Sequence, residues 1–188
     1  MESLSRYQIL FDNYLENNKQ KSKPLGLYAP IEYILSLGGK RLRPLLALMA
    51  TEAFGNNPEE ALPAALSVEV FHNFTLIHDD IMDQAPLRRG APSVHNKWDE
   101  NTGILSGDAM LIQAYQCLET YPNELFFKLI KHTSKTALEV CEGQQYDMDF
   151  ETQKDVTISA YLEMIRLKTA VLVGHSLKIG AWIGYASD

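Results

Sequence analysis

A chain of 188 residues with 46% hydrophobic content has enough material for one sizeable domain with its own core. Its 17 basic residues against 24 acidic ones give a formal net charge of −7, which repels a polyphosphate backbone at long range and argues against broad nucleic-acid binding. The opening MESLSRYQILFDNYLENNKQ is charged throughout and the longest apolar runs, such as PLLALMA, fall far short of a membrane span, so the sequence reads as a soluble cytoplasmic protein.

Apolar residues recur at three and four positions along the chain, and strand-like alternation is nearly absent. Breaks fall at Pro24, at the glycine pair from Gly38, at GNNP from Gly55, at QAP from Gln84, at ENTG from Glu100 and at YPNE from Tyr121. The pattern between them predicts about seven or eight helices in a single all-α domain covering residues 1–188.

The first motif in chain order is GGKRLRP. It ends one helix at Gly38 and Gly39 and is expected to begin another that carries Lys40, Arg41 and Arg43, with Pro44 tolerated in the first turn. Basic clusters of this kind are more often solvated faces, but a helix N-terminus also favours anions.

The next helix is predicted from about Pro58 to Asp83 and closes on EVFHNFTLIHDDIMD. Asp79 and Asp83, four apart, share a face, and Asp80 stands beside them. Their charges repel one another at the end where the helix dipole is already negative. A cation would settle that cost, and oxygen-only ligands at this spacing suit Mg²⁺, which takes one or two carboxylates and completes its shell with water and phosphate oxygens. Just beyond, LRRGAP supplies Arg88 and Arg89, side chains that grip phosphate in a bidentate fork. An acidic protein that gathers arginines around a metal-ready acid cluster is suited to a small anion carrying several phosphates.

Further along, Cys117 and Cys141 lie in apolar helical contexts without metal-ligand spacing, which predicts buried thiols in a reducing compartment. One helix is expected from about Pro122 into EGQQYDMDFE, where Gln144 and Asp147 on spacing alone would be surface residues. A last long helix is expected from about Thr157 to Tyr185, with Gly174 or Gly180 as the place for a bend. Within it, MIRLKTAVLVG reads as buried, so Lys168 needs a partner.

In order and spacing, GGKRLRP, HDDIMD, LRRGAP, SGDAML, EGQQYD and RLKTA resemble the motifs of the isoprenyl diphosphate synthases, also called polyprenyl synthetases. The resemblance implies an antiparallel all-α helix bundle around a deep central cavity, usually a homodimer, with diphosphates and Mg²⁺ at the mouth and the hydrocarbon pointing inward. It implies a prenyltransferase that condenses isopentenyl diphosphate with an allylic diphosphate (dimethylallyl, geranyl or farnesyl). Lys40, Arg43, His72 and Arg89 would hold isopentenyl diphosphate. Asp79 and Asp83 would ligate Mg²⁺ with Asp80 in support, and Arg88, Lys168, Thr169, Gln144 and Asp147 would serve the allylic diphosphate. The catalytic set is then Asp79, Asp80, Asp83 and Lys168. In this chemistry the leaving pyrophosphate is stabilised electrostatically, the allylic cation is kept from water and attacked by the second substrate's double bond, and loss of a proton completes the longer chain. The departing diphosphate can take that proton, so no residue is nominated as general base.

Phe74 and Thr75, five and four positions before the aspartate motif, are the resemblance's candidates for limiting product length. On a helical wheel Thr75 lies one turn from Asp79 on the same face, while Phe74 sits about 140° around. Geometry alone would choose Thr75, and the resemblance favours the bulky Phe74, with geranylgeranyl diphosphate expected slightly ahead of farnesyl diphosphate. Family chains carry a second aspartate-rich motif on a later helix, which these residues do not contain. The bundle is therefore expected to be incomplete on its C-terminal side, and the 188 residues alone to be at most weakly active.

Three other readings compete with this one. The His78–Asp79 dyad suggests a metal-dependent phosphohydrolase, but His95, His132 and His175 show no matching ligand pattern. Terpene cyclases share the cation chemistry but have no use for a second diphosphate site such as GGKRLRP. A non-catalytic partner subunit of a prenyl synthase is disfavoured by the intact aspartates and arginines.

Overall fold

Local capping and apolar periodicity set the elements of the computed structural model, which describes residues 2–18 and 23–187. The order is α1 (Glu2–Asn17), α2 (Leu25–Ser36), α3 (Leu42–Ala53), α4 (Leu62–Met82), a hairpin of β1 (Leu87–Arg88) and β2 (Ala91–Pro92), α5 (Val94–Lys97), α6 (Glu100–Gln116), α7 (Asn123–Thr152), α8 (Ile158–Ile165) and α9 (Val171–Ile183). Short 3₁₀ turns lead into α4 and out of α6. Asn57 Oδ1 accepts from Glu59 N at 3.1 Å to start the first of them, with Pro58 following. Asp99 caps α6 through Thr102 N at 2.8 Å, and the Thr157 hydroxyl caps α8 through Ala160 N at 3.1 Å.

Helix α4 is the centre of the bundle. It packs against α3, α6 and α9, and Ala64, Ala65, Val68, Phe71, Phe74 and Ile77 are buried along it. That enclosure is why its apolar residues extend around more than one face. The core continues through Ile34 of α2, Leu48 of α3, Met110 of α6, Leu129 of α7 and Ile179 of α9. The all-α architecture expected from the sequence is the one observed, with a two-residue antiparallel ribbon at LRRGAP added to it. Among the described residues, no helix is long and apolar enough to cross a membrane.

Four local expectations are corrected. Lys40 and Arg41 precede α3 and lie in a turn. Gly38, Gly39 and Arg41 have φ of +73°, +129° and +48°, and the turn is held because Arg41 is buried against Glu69 and donates to Leu35 O at 2.6 Å. The long C-terminal helix departs from α geometry at Arg166–Ala170, a π turn, while Gly174 and Gly180 sit inside α9. The segment around Lys168 is not a buried helix: Met164, Leu167 and Leu172 are buried, but Ile165, Arg166, Thr169 and Ala170 are exposed because α8 and the turn pack on α7 from outside. Finally, only Cys117 resembles the expected buried thiol. Burial pushes it up to about 11, whereas Cys141 is exposed on α7.

Candidate functional site

The last turn of α4 carries its three aspartates into three different environments. Asp80 is fully buried, and Arg88 reaches back from β1 to clamp it, with Nε 3.0 Å from Oδ1 and 3.1 Å from Oδ2 and Nη2 also donating to Oδ1. That charge-assisted fork raises the Arg88 pKa and leaves Asp80 little capacity for another cation. Asp83 is exposed at the helix end, and partial burial, with Asp79 next in weight, raises its pKa. Asp79 lies between them in character. Its Oδ1 is buried and accepts no hydrogen bond, Lys168 Nζ stands 3.3 Å from it in an ion pair, and Arg88 Nη2 is 3.6 Å from Oδ2.

Lys168 comes from the π turn on the opposite wall. Its ammonium donates to Asp147 of α7 as well as pairing with Asp79. Desolvation pulls its pKa down, but the two carboxylates outweigh it and the net shift is upward. The partner required by the sequence is thus supplied by the protein's own carboxylates.

The basic cluster divides in the same way. Arg43 Nη1 lies 3.0 Å from His72 Nε2, so that nitrogen acts as acceptor and the ring is neutral. Burial, then the charges of Arg43, Arg89, Arg88 and Arg41, lower His72 to about 3. Burial also lowers the Arg43 pKa, with Glu69 opposing, and Arg43 Nε is buried without a hydrogen-bond partner. Arg89 lies in the left-handed region at φ +53°, donates to Gly38 O and rests on Gly39, where a Cβ would meet its guanidinium carbon at 2.9 Å. The glycine pair therefore does more than end α2: it seats an arginine from the hairpin. Arg41, by contrast, is committed to Glu69, which also accepts from Asn73 Nδ2 at 2.8 Å. Lys40 is exposed.

Between these groups opens a cavity of about 300 Å³ walled by α4, α7, α9 and the π turn, with Arg43 reaching it from α3. Of the residues singled out in the sequence, Arg43, His72, Phe74, Thr75, His78, Asp79, Cys141, Gln144, Lys168 and Thr169 line it together. Asp80, Arg88, Asp83, Arg89, Lys40 and Asp147 do not line it, although Asp147 and Arg88 touch residues that do. Phe74 and Thr75 both face it, so the wheel argument that set Phe74 aside is too strict: the Phe74 ring turns edge-on to His78 at 4.8 Å. The sequence reading missed Val140, Met148 and Leu172, which form apolar wall. Val140, Gln144 and Met148 follow one another at four-residue spacing on α7, so extending the stripe from Gln144 would have found two of them.

The donor set fits Mg²⁺ of the kind held by few protein ligands. Asp79 and Asp83, four residues apart at the end of α4, offer oxygen donors only, and Asp79 Oδ1 is buried without a hydrogen bond, with the Lys168 ammonium 3.3 Å away. Two carboxylates with phosphate and water completing the shell match that ion's preference. The phosphohydrolase rival is not favoured by this geometry, because His78 Nε2 turns to Ile104 O at 3.2 Å and fills the space beside Gly107 on α6.

The family model for polyprenyl synthetases matches residues 25–188. The chain belongs to the polyprenyl synthetase family. Among its curated relatives in this family, a geranylgeranyl diphosphate synthase of Methanosarcina mazei is 51% identical over 169 residues, covering 89% of this chain and 52% of the relative. A geranylgeranyl pyrophosphate synthase of Geoglobus acetivorans is 41% identical over 174 residues, covering 92% and 54% respectively. A crystal structure of a geranylgeranyl pyrophosphate synthase superimposes with TM-score 0.97 at 56% identity over 100% of this chain and 57% of the other. The corresponding synthetase from Pyrococcus horikoshii gives 0.92 at 37% identity, over 97% and 57%. The chain thus spans about half the length of these polyprenyl synthetase relatives.

Proposed function

We propose that the chain is the substrate-binding part of a prenyltransferase that joins isopentenyl diphosphate to an allylic diphosphate: dimethylallyl, geranyl or farnesyl. The observation that carries this reading is one cavity lined both by the charged Arg43, Asp79 and Lys168 and by the apolar Phe74, Val140 and Leu172. A diphosphate with a hydrocarbon tail matches both parts. Arg43, with His72 as its neutral acceptor, Arg89 and the exposed Lys40 would hold isopentenyl diphosphate. Lys168, Thr169 and Gln144 would face the allylic diphosphate, with Asp147 steadying Lys168. Arg88 would act there through its clamp on Asp80.

Asp79 and Asp83 would hold Mg²⁺, which when bound with diphosphate supplies positive charge to the leaving group. The chain's own contribution is to fix the diphosphates, to neutralise charge at the mouth and to exclude water from the apolar wall. Homodimeric assembly and a cytoplasmic location belong to the same reading. Ile104, Leu105 and Ile112, exposed by 45%, 61% and 59% along α6, support a self-complementary contact.

The test is calorimetric titration of the chain with pyrophosphate in the presence and absence of Mg²⁺. Asp79→Asn with Asp83→Asn keeps size and removes charge, so Mg²⁺-dependent binding should disappear while circular dichroism still reports a folded chain. Undiminished Mg²⁺-dependent binding in that variant would remove the metal assignment. Among products, geranylgeranyl diphosphate is favoured, with the Phe74 side chain as part of the floor. In a chain of the relatives' full length carrying this segment, Phe74→Ala should lengthen the product by at least one isoprene unit, as read by chromatography. An unchanged product distribution would place the floor on another helix.

A further inference from the structure

At Gly143, α7 touches the π turn backbone to backbone. A Cβ built there would lie 2.2 Å from Lys168 N and 2.6 Å from both Leu167 C and Lys168 Cα. These are main-chain atoms, which cannot swing aside like the end of a flexible side chain. Only glycine permits such an approach, since ordinary side chains hold helix axes about 8–10 Å apart. The segment it faces is the one whose coil is widened. Val171 N–H bonds to Arg166 O, five residues back, which fits an extra residue into the turn that carries Lys168.

Four residues along α7 from Gly143, Asp147 accepts from the Lys168 ammonium, and Asp79 Oδ1 of α4 lies 3.3 Å from the same nitrogen. We infer that Gly143 is a positioning residue: its missing side chain lets the π turn seat directly on α7, and that seating aims Lys168 Nζ into the gap between Asp147 and Asp79. The effect on diphosphate binding rests on the function proposed above, whereas the aim of Lys168 does not.

The test compares Gly143→Ala with Gly180→Ala, each confirmed as folded by circular dichroism. The second variant is a matched control, because a Cβ at Gly180 would meet Ala47 O at 2.2 Å where α9 crosses α3. Acetylation of individual lysines is followed by mass spectrometry, with the exposed Lys40 as internal reference. Gly143→Ala should raise the Lys168 rate by about fivefold, as expected when an ammonium loses part of its ion pairing, and Gly180→Ala should leave it unchanged. A folded Gly143→Ala chain with parental Lys168 reactivity overturns the inference, as does an equal rise in Gly180→Ala.

Should Gly143→Ala fail to fold, hydrogen exchange on the parent chain decides. The amides of Leu167–Ala170 should be protected like those of α9, and exchange as fast as the 84–93 loop overturns the inference. Titration with Mg²⁺ and pyrophosphate separates the two layers. No binding by the parent chain sinks the diphosphate reading and leaves the lysine result standing. Binding that Lys168→Ala and Gly143→Ala weaken alike joins the two, and undiminished binding by Gly143→Ala despite a freed Lys168 removes the functional consequence.

Discussion

Three aspartates within five residues do different things because each meets a different partner. Asp80 is locked by Arg88, Asp79 is held at longer range by ion pairs with Lys168 and Arg88, and Asp83 faces solvent. The two cations farthest apart in role are Arg43, beside His72, and Lys168, beside Asp147. If they serve different diphosphates, Arg43→Ala should mainly weaken isopentenyl diphosphate and Lys168→Ala a non-ionisable allylic analogue. Each loss should be about 1.5–3 kcal/mol, the worth of one charge-assisted hydrogen bond. Calorimetry with both ligands checks this, and equal losses for both ligands in both variants would contradict the two-site arrangement.

At the scale of elements, α7 and α9 are joined outside the cavity by a histidine pair. His132 Nδ1 and His175 Nδ1 are 2.7 Å apart with stacked rings, so one donates and the other accepts, and Thr133 and Thr136 lie against them. Burial, with a smaller contribution from His132, lowers His175 to about 3, and burial, then Lys178 and Lys135, lowers His132. In the unfolded chain each would titrate near the ordinary value of 6.5. The unfolded state therefore takes up protons first as pH falls, and the stability these residues contribute is complete above that value and lost progressively toward pH 3. Thermal unfolding from pH 8 to 4 should show a declining melting temperature below about pH 6.5, where free histidine gains its proton. His175→Leu should flatten that decline, and an equally steep decline in the variant would assign it to other groups such as the buried His72.

At the scale of the whole molecule, apolar surface is exposed along α8 and α6. Ile158, Tyr161 and Leu162 of α8 stand 80%, 51% and 59% exposed, and Leu105 and Ile112 mark α6. This exposure predicts that the chain associates with itself in solution. Light scattering after size exclusion checks this, and a chain that stays monomeric at high concentration would overturn the expectation.

Helix content, most helix limits and the company of acidic and basic motifs were legible in the sequence because they depend on local signals, apolar spacing and breaks such as Pro24, GNNP and YPNE; the caps Asn57, Asp99 and Thr157 that the structure shows are local signals too. The placing of Asp79 and His72 on one cavity also follows from their spacing along one helix. What the tertiary structure alone decided were the partners across elements. Nothing local says that Arg41 is spent on Glu69 while Arg43 faces the cavity, that Arg89 rests on Gly39, or that Gly143 lets a π turn close on α7. Nor could a wheel for α4 show that the cavity is wide enough to be lined by both Phe74 and Thr75. A sequence specifies which side chains a helix offers, but the distance and angle at which another helix arrives are set by packing among residues far apart in the chain.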